Sequence, residues 1–144
     1  MDDSVAAIYS PSFQTRMSRP LIMWCVQAGF PSPAEDYIEG RIDLNRDLIK
    51  HPIATFYIRV AGDSMSGAGI DAGDILIVDR AAEASDGHVV VARINDELCV
   101  KQLCIGDDGR VCLLSANDRY APIEIEEGMD FEIWGRVMWS LKQH

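Results

Sequence analysis

A chain of 144 residues has the length of one domain, since roughly 100–200 residues are expected per domain. With 48% hydrophobic and 25% charged residues, it has the composition of a soluble globular protein that builds its own core without disulfides or metal. A formal charge of −10 argues against DNA binding through a broad basic face, which needs Lys and Arg to neutralise phosphates, and makes proteins the expected partners.

Residues 1–20 are broken by Ser4, Ser10, Pro11, Ser12, Ser18 and Pro20 and read as an irregular arm. Asp2, Asp3, Arg16 and Arg19 cancel, so the charge of −10 belongs to residues 29–144. Leu21 to Val26 imitates the apolar core of a secretory signal, but Met1-Asp2-Asp3 is acidic where such a signal is basic. The run is also shorter than the roughly 7–15 residues a signal needs, and no stretch approaches the ~18–20 apolar residues of a membrane span. A cytoplasmic protein with no membrane association is expected.

Val26-Gln27-Ala28-Gly29-Phe30 offers a small-residue bond that a peptidase could cut. Ser32-Pro33-Ala34-Glu35 has the N-cap serine, first-turn proline and returning glutamate of a helix start, which predicts a short helix over Ala34 to Glu39. A second helix is predicted from Asp43, with Leu44, Leu48 and Ile49 on one side, ending before His51-Pro52.

From Thr55 the pattern turns to β. Strands are predicted at Thr55 to Val60, Ile75 to Val78, His88 to Ile94, Glu97 to Cys104, Val111 to Leu114 and Phe131 to Leu141. Asn95-Asp96 closes a hairpin; Asp71 to Asp74, Asp86-Gly87 and Gly106 to Gly109 mark other reversals. The expected fold is mainly β: a single curled, mostly antiparallel domain with one or two short helices and an N-terminal arm. Cys25, Cys99, Cys104 and Cys112 lack a paired C-x-x-C arrangement, so they read as free thiols in a reducing setting, with no metal and no cofactor.

Two fragments carry chemistry. Gly62-Asp63-Ser64-Met65 ends a β run and precedes Ser66-Gly67-Ala68-Gly69, a small-residue loop able to leave backbone N–H groups unpaired for an oxyanion. Taken alone, Ser64 is as well explained as a turn residue, and the Gly-x-Ser-x-Gly elbow is absent. Lys101 lies among apolar strand residues on the face of Cys99 and Leu103, where desolvation would favour the neutral amine of a general base. Spacing equally allows a lysine that snorkels from a sheet edge. His88, His51 and His144 sit in turns or at the terminus and make a poor Ser-His-Asp set. Glu126-Glu127 and Asp107-Asp108 read as solvated turn charges rather than glycosidase acids.

Phe30 to Tyr37, Arg41 to Asn45, His51-Pro52, Gly62 to Met65, Gly73 to Asp79 and Val100-Lys101 together resemble the UmuD-type members of the LexA-type self-cleaving peptidases. The resemblance runs from about Gln27 to the C-terminus. It implies a β-rich fold of the LexA and signal-peptidase type, with Ser64 as nucleophile, Lys101 as general base and cleavage between Ala28 and Gly29. Residues 1–28 would be a removable arm and residues 29–144 the peptidase domain. It further implies a homodimer activated by the RecA–single-stranded DNA filament in the SOS response, which then serves a UmuC-like, error-prone Y-family DNA polymerase in translesion synthesis.

Ala28 departs from the cysteine common before the scissile glycine in the UmuD type and resembles the LexA repressors instead. A LexA-like repressor would need a helix-turn-helix domain, which 28 residues interrupted by Pro11 and Pro20 do not supply. A processing peptidase acting on other proteins would share the Ser/Lys pair but cut in trans.

Overall fold

The computed structural model describes residues 5–14, 16–22 and 38–144. Two units are distinguished among them by their internal contacts: one takes residues up to Pro11 with His51–His144, the other Ser12–Lys50.

The larger unit is one curled antiparallel sheet, so the mainly β expectation holds. In chain order its strands are β1 (Val5–Tyr9), β4 (Thr55–Val60), β5 (Ile75–Asp79), β6 (Val89–Ile94), β7 (Glu97–Ile105), β8 (Val111–Leu114), β9 (Ile123–Glu124) and β10 (Phe131–Leu141). In space they run β1-β4-β5-β10-β6-β7-β8-β9. The smaller unit pairs β2 (Ser18–Ile22) with β3 (Ile38–Asp43) and continues into α1 (Leu44–Leu48).

Several elements follow directly from local chemistry. The Asp43 carboxylate caps α1 by accepting the Asn45 N–H at 3.1 Å, and the Asp47 carboxylate returns to the Asp43 N–H at 2.8 Å. Asn95 and Asp96 both take positive φ, 49° and 65°, the left-handed pair that a two-residue hairpin between β6 and β7 requires. In β6, Val91 joins a core with Ile58, Val60, Met65, Leu76, Val78 and Val100, while Val90, Ala92 and Ile94 join a second core with Cys99, Leu103 and Leu113. Both faces of the central strands are therefore buried, which is why Val89-Val90-Val91-Ala92 is a continuous apolar run rather than an alternation.

The arm differs from its expected form. Val5–Tyr9 is not irregular but an edge strand, with Val5 opposite Val60, Ala7 opposite Arg59, Ile8 opposite Ile58 and Tyr9 opposite Tyr57. Ser18 to Ile22 is likewise a strand. Ile38 and Glu39, the end of the expected first helix, belong to β3; the rest of that helix lies outside the described residues, as do Cys25, Ala28 and Gly29. Among the described cysteines, Cys104 and Cys112 are free thiols.

β10 lies between β5 and β6, pairing with β6 through its first half and β5 through its second, with register shifts at Ile133/Gly135 and Val137/Trp139. A Cβ at Gly135 would stand 2.6 Å from Cγ1 of Val78, which is fully buried. Replacing Gly135 by Val should therefore cost about 1–3 kcal/mol by overpacking and lower the Tm by several degrees in a thermal melt.

The β4–β5 reversal is closed by the C-terminal tail, where Lys142 Nζ reaches Asp71 at 2.8 Å and the buried Asp74 at 2.6 Å. Burial pushes the Asp74 carboxyl upward, but the Asp71 N–H and the Lys142 ammonium outweigh it and hold Asp74 below its usual 3.8. The hydrogen bonds that Lys142 donates to Asp71 and Asp74 hold it above its usual 10.5. A depressed carboxylate contributes stability above its unfolded value and loses it on protonation, whereas a raised ammonium contributes below its unfolded value and loses it on deprotonation. The clasp should hold between the ordinary carboxylate and lysine ranges. Lys142→Met should lower the Tm at pH 7, and the gap to the parent protein should close as melts are taken progressively below pH 4.

Candidate active site

Lys101 is buried in the middle of β7, 3% exposed, so the snorkelling alternative fails. Its Nζ donates to Ser115 Oγ at 2.7 Å and stands 5.2 Å from the centroid of the Tyr120 ring. The register explains the first contact. Gln102 pairs with Leu114, Leu103 with Leu113 and Cys104 with Cys112, so Lys101 and Ser115 occupy the next step along the β7–β8 ladder.

Ser64 follows β4 and opens the turn that leads to β5. It is 1% exposed, and its Oγ has no hydrogen-bond partner among the described residues. A buried hydroxyl left without a partner costs roughly 1–3 kcal/mol, so the position calls for an explanation. Its neighbour Met65 anchors the turn in the core beside Val100 of β7.

Both groups are held by the segment after β8. Ser115 meets Lys101. The Ala116 carbonyl accepts the Gly67 N–H at 2.7 Å, Asn117 Nδ2 donates to the Asp63 carbonyl at 2.9 Å, and the Tyr120 hydroxyl donates to Asp63 Oδ1 at 2.6 Å. Arg119 adds an exposed ion pair to Asp63 at 3.8 Å. Residues 115–120 thus fix the backbone on both sides of Ser64 and approach Lys101 Nζ with two side chains.

The later part of the Ser64 loop does not offer the free amides expected of it. Ser66 N–H donates to the Asp63 carbonyl, Gly67 to Ala116, Ala68 to Met65 and Gly69 to Ser66, closing a tight 3₁₀ turn. The small residues serve close packing: a Cβ at Gly67 would stand 2.4 Å from the Ala116 carbonyl oxygen.

The histidines are engaged elsewhere. His88 Nδ1 accepts the Ser85 N–H at 2.9 Å within its own turn. His51 Nδ1 lies 2.5 Å from Asp79 Oδ2, and Asp79 Oδ1 accepts the N–H groups of Ala81 and Ala82. Asp108 closes its turn by accepting the Arg110 N–H, as a turn acid should. Among the described residues no group of His, Cys, Asp and Glu could hold a metal ion. Ser115, Asn117 and Tyr120 were not visible as site residues, because Ser115-Ala116-Asn117-Asp118 reads as any polar turn.

Comparison with known proteins brings in relatives along most of the chain. The family described as Peptidase S24-like matches residues 20–138. Protein MucA of Salmonella typhimurium is 39% identical over 139 residues, covering 95% of this chain and 94% of MucA. Protein ImpA of Salmonella typhimurium is 47% identical over 95 residues, covering 66% of each. The LexA repressor of Xylella fastidiosa is 44% identical over 110 residues, covering 76% of this chain but 51% of the repressor.

The approach of Gly67 to Ala116 generates a direct test. Gly67→Ala must displace a backbone carbonyl, since no flexible side chain is there to yield. The amide at position 67 should lose protection from hydrogen exchange, and the Tm should fall; unchanged exchange there would mean the two loops are not held by this contact.

Proposed function

The chain belongs to the Peptidase S24-like family, and from that premise we propose that it cleaves itself between Ala28 and Gly29 with Ser64 as nucleophile and Lys101 as general base. The observation that carries this reading is a buried lysine and a buried serine hydroxyl, the latter without a partner among the described residues, brought under one clamp, residues 115–120. The Ser115 hydroxyl accepts from Lys101 Nζ and so fixes how the amine is oriented. A serine hydroxyl with no competing partner is free to give up its proton.

In the proposed reaction, neutral Lys101 takes the proton of Ser64 as Oγ attacks the Ala28 carbonyl carbon. With the amides of Ser66 to Gly69 committed within the turn or to Ala116, the developing oxyanion falls to the backbone at the nucleophile itself. Collapse breaks the Ala28–Gly29 bond, and the Lys101 ammonium returns its proton to the departing Gly29 amine. Water, activated by Lys101, then releases residues 1–28 from their ester to Ser64.

The cut divides the chain into the arm 1–28 and the peptidase domain 29–144. It falls in the connection between β2 and β3, and it severs β1 from β4, its partner in the sheet. We read the processed chain as a homodimer that serves a Y-family polymerase in SOS mutagenesis, with the RecA filament stimulating the cut. The overlap with MucA, over 95% of this chain and 94% of MucA, supports this reading. No described helix is long and apolar enough to cross a membrane.

The purified chain, held at alkaline pH without added protease, should yield a fragment beginning at Gly29 by mass spectrometry, and sooner when RecA and single-stranded DNA are added. The rate should rise with pH and then level off, as a base that must be neutral requires. Ser64→Ala and Lys101→Ala should each abolish the fragment, and Lys101→Arg should fail too because arginine keeps its proton. Ser115→Ala should slow cleavage roughly tenfold or more while moving the pH profile, since it removes about one hydrogen bond from the base. Undiminished cleavage in either alanine variant of the pair would remove the mechanism.

A further inference from the structure

Cys104 of β7 and Cys112 of β8 are directly opposite in the antiparallel register. Both thiols are free and half-buried, on the face opposite Leu103 and Leu113, which fill the core. We propose that these two cysteines form a reversible intramolecular disulfide, a thiol switch on the strand pair that carries Lys101 and Ser115.

The geometry supports a bond that is attainable but strained. The Gly106 N–H bonds to the Arg110 carbonyl two steps along the ladder, so alternation makes Cys104 and Cys112 a hydrogen-bonded pair. Such pairs have Cα atoms about 5.5 Å apart, inside the usual 4.4–6.8 Å disulfide range. Opposed Cβ atoms in a sheet stand about 4.5–5.5 Å apart, whereas a disulfide wants about 3.5–4.5 Å. The strands must draw together, and the exposed Gly106 to Gly109 turn just beyond the pair is where they can yield. Strained disulfides of this kind have high potentials and are the labile, regulatory ones rather than structural staples.

The chemistry needs an oxidant, and a low-molecular-weight disulfide such as oxidised glutathione supplies it. The Cys104 thiolate attacks one sulfur of the reagent, forming a mixed disulfide and releasing one thiol. Cys112 loses its proton and attacks the Cys104 sulfur, closing the protein disulfide and expelling the second thiol. The protein gives up two electrons and two protons, and the reagent is reduced to two thiols. Burial, then Cys104, then Glu124 push the Cys112 thiol up, so the step is written with Cys104 as the first nucleophile. Once Cys104 is capped, the opposed Cys112 attacks intramolecularly at high effective concentration.

The full chain should be incubated with oxidised glutathione, its remaining thiols alkylated, and the intact protein and its peptides weighed. The expected product is monomeric, lighter by two hydrogens, with a linked peptide pair carrying Cys104 and Cys112, and dithiothreitol restores the parent mass. Cys104→Ser and Cys112→Ser should each prevent the loss, whereas Cys25→Ser and Cys99→Ser should not. Peptide mapping of the unsubstituted protein gives the same answer without any variant. A persistent glutathione adduct, a covalent dimer, a bond involving Cys25 or Cys99, or no mass change at all would overturn the proposal.

Discussion

The 2.7 Å bond from the Gly67 N–H to the Ala116 carbonyl is the contact on which the arrangement around Ser64 depends. It joins two loops from distant parts of the chain, one following β4 and the other following β8, at a separation that excludes any side chain at position 67. Once that approach is made, the neighbouring contacts follow in order: Ser115 reaches Lys101, Asn117 and Tyr120 reach Asp63, and Ser64 is enclosed between them. The β7–β8 ladder supplies the other half, because its register delivers Lys101 and Ser115 to the same step. A rigid strand pair and a glycine-permitted contact between loops together position the buried groups.

Much of this was legible along the chain, and the parts that were have local causes. Strands β4, β8 and β10 coincide with their expected bounds because each is a stretch rich in apolar residues set off by turn residues. The Asp43 cap and the Asn95-Asp96 turn were readable because their side chains or φ angles are dictated within a few residues. Lys101 stood out since a charge inside an apolar strand is unusual. What was not legible is non-local. Val5–Tyr9 is a five-residue run whose strand character comes from the edge of β4, some fifty positions on. The two-residue β9 exists only by pairing with β8, and nothing local announces that β10 inserts between β5 and β6. Ser115 and Tyr120 gain their roles from Lys101 and Asp63 across the fold.

The Ser64 loop shows how a correct location can carry an incorrect reason. Its glycines and alanine suggested amides left open for an oxyanion, yet those amides are spent on a 3₁₀ turn and on Ala116. Small residues admit two explanations, backbone freedom and close approach, and only the position of the partner loop decides between them. Gly67 belongs to the second kind, whereas Gly69, at φ 78°, belongs to the first.

The edge strand bears on what a cut between Ala28 and Gly29 would accomplish. β1 gives up little apolar surface to the sheet: Val5 packs against the core, but Ile8 remains 42% exposed and Tyr9 53% exposed. An edge strand so lightly buried is held by a short ladder, by its connection to β2, which pairs with β3, and by the covalent link beyond β2 that keeps its local concentration high. Hydrolysis on the far side of β2 leaves every one of those ladder bonds chemically unchanged and removes only the connection. The switch in the proposed function is therefore entropic. Were β1 to leave, the N–H and C=O groups of the β4 edge would be open to pairing with another extended chain.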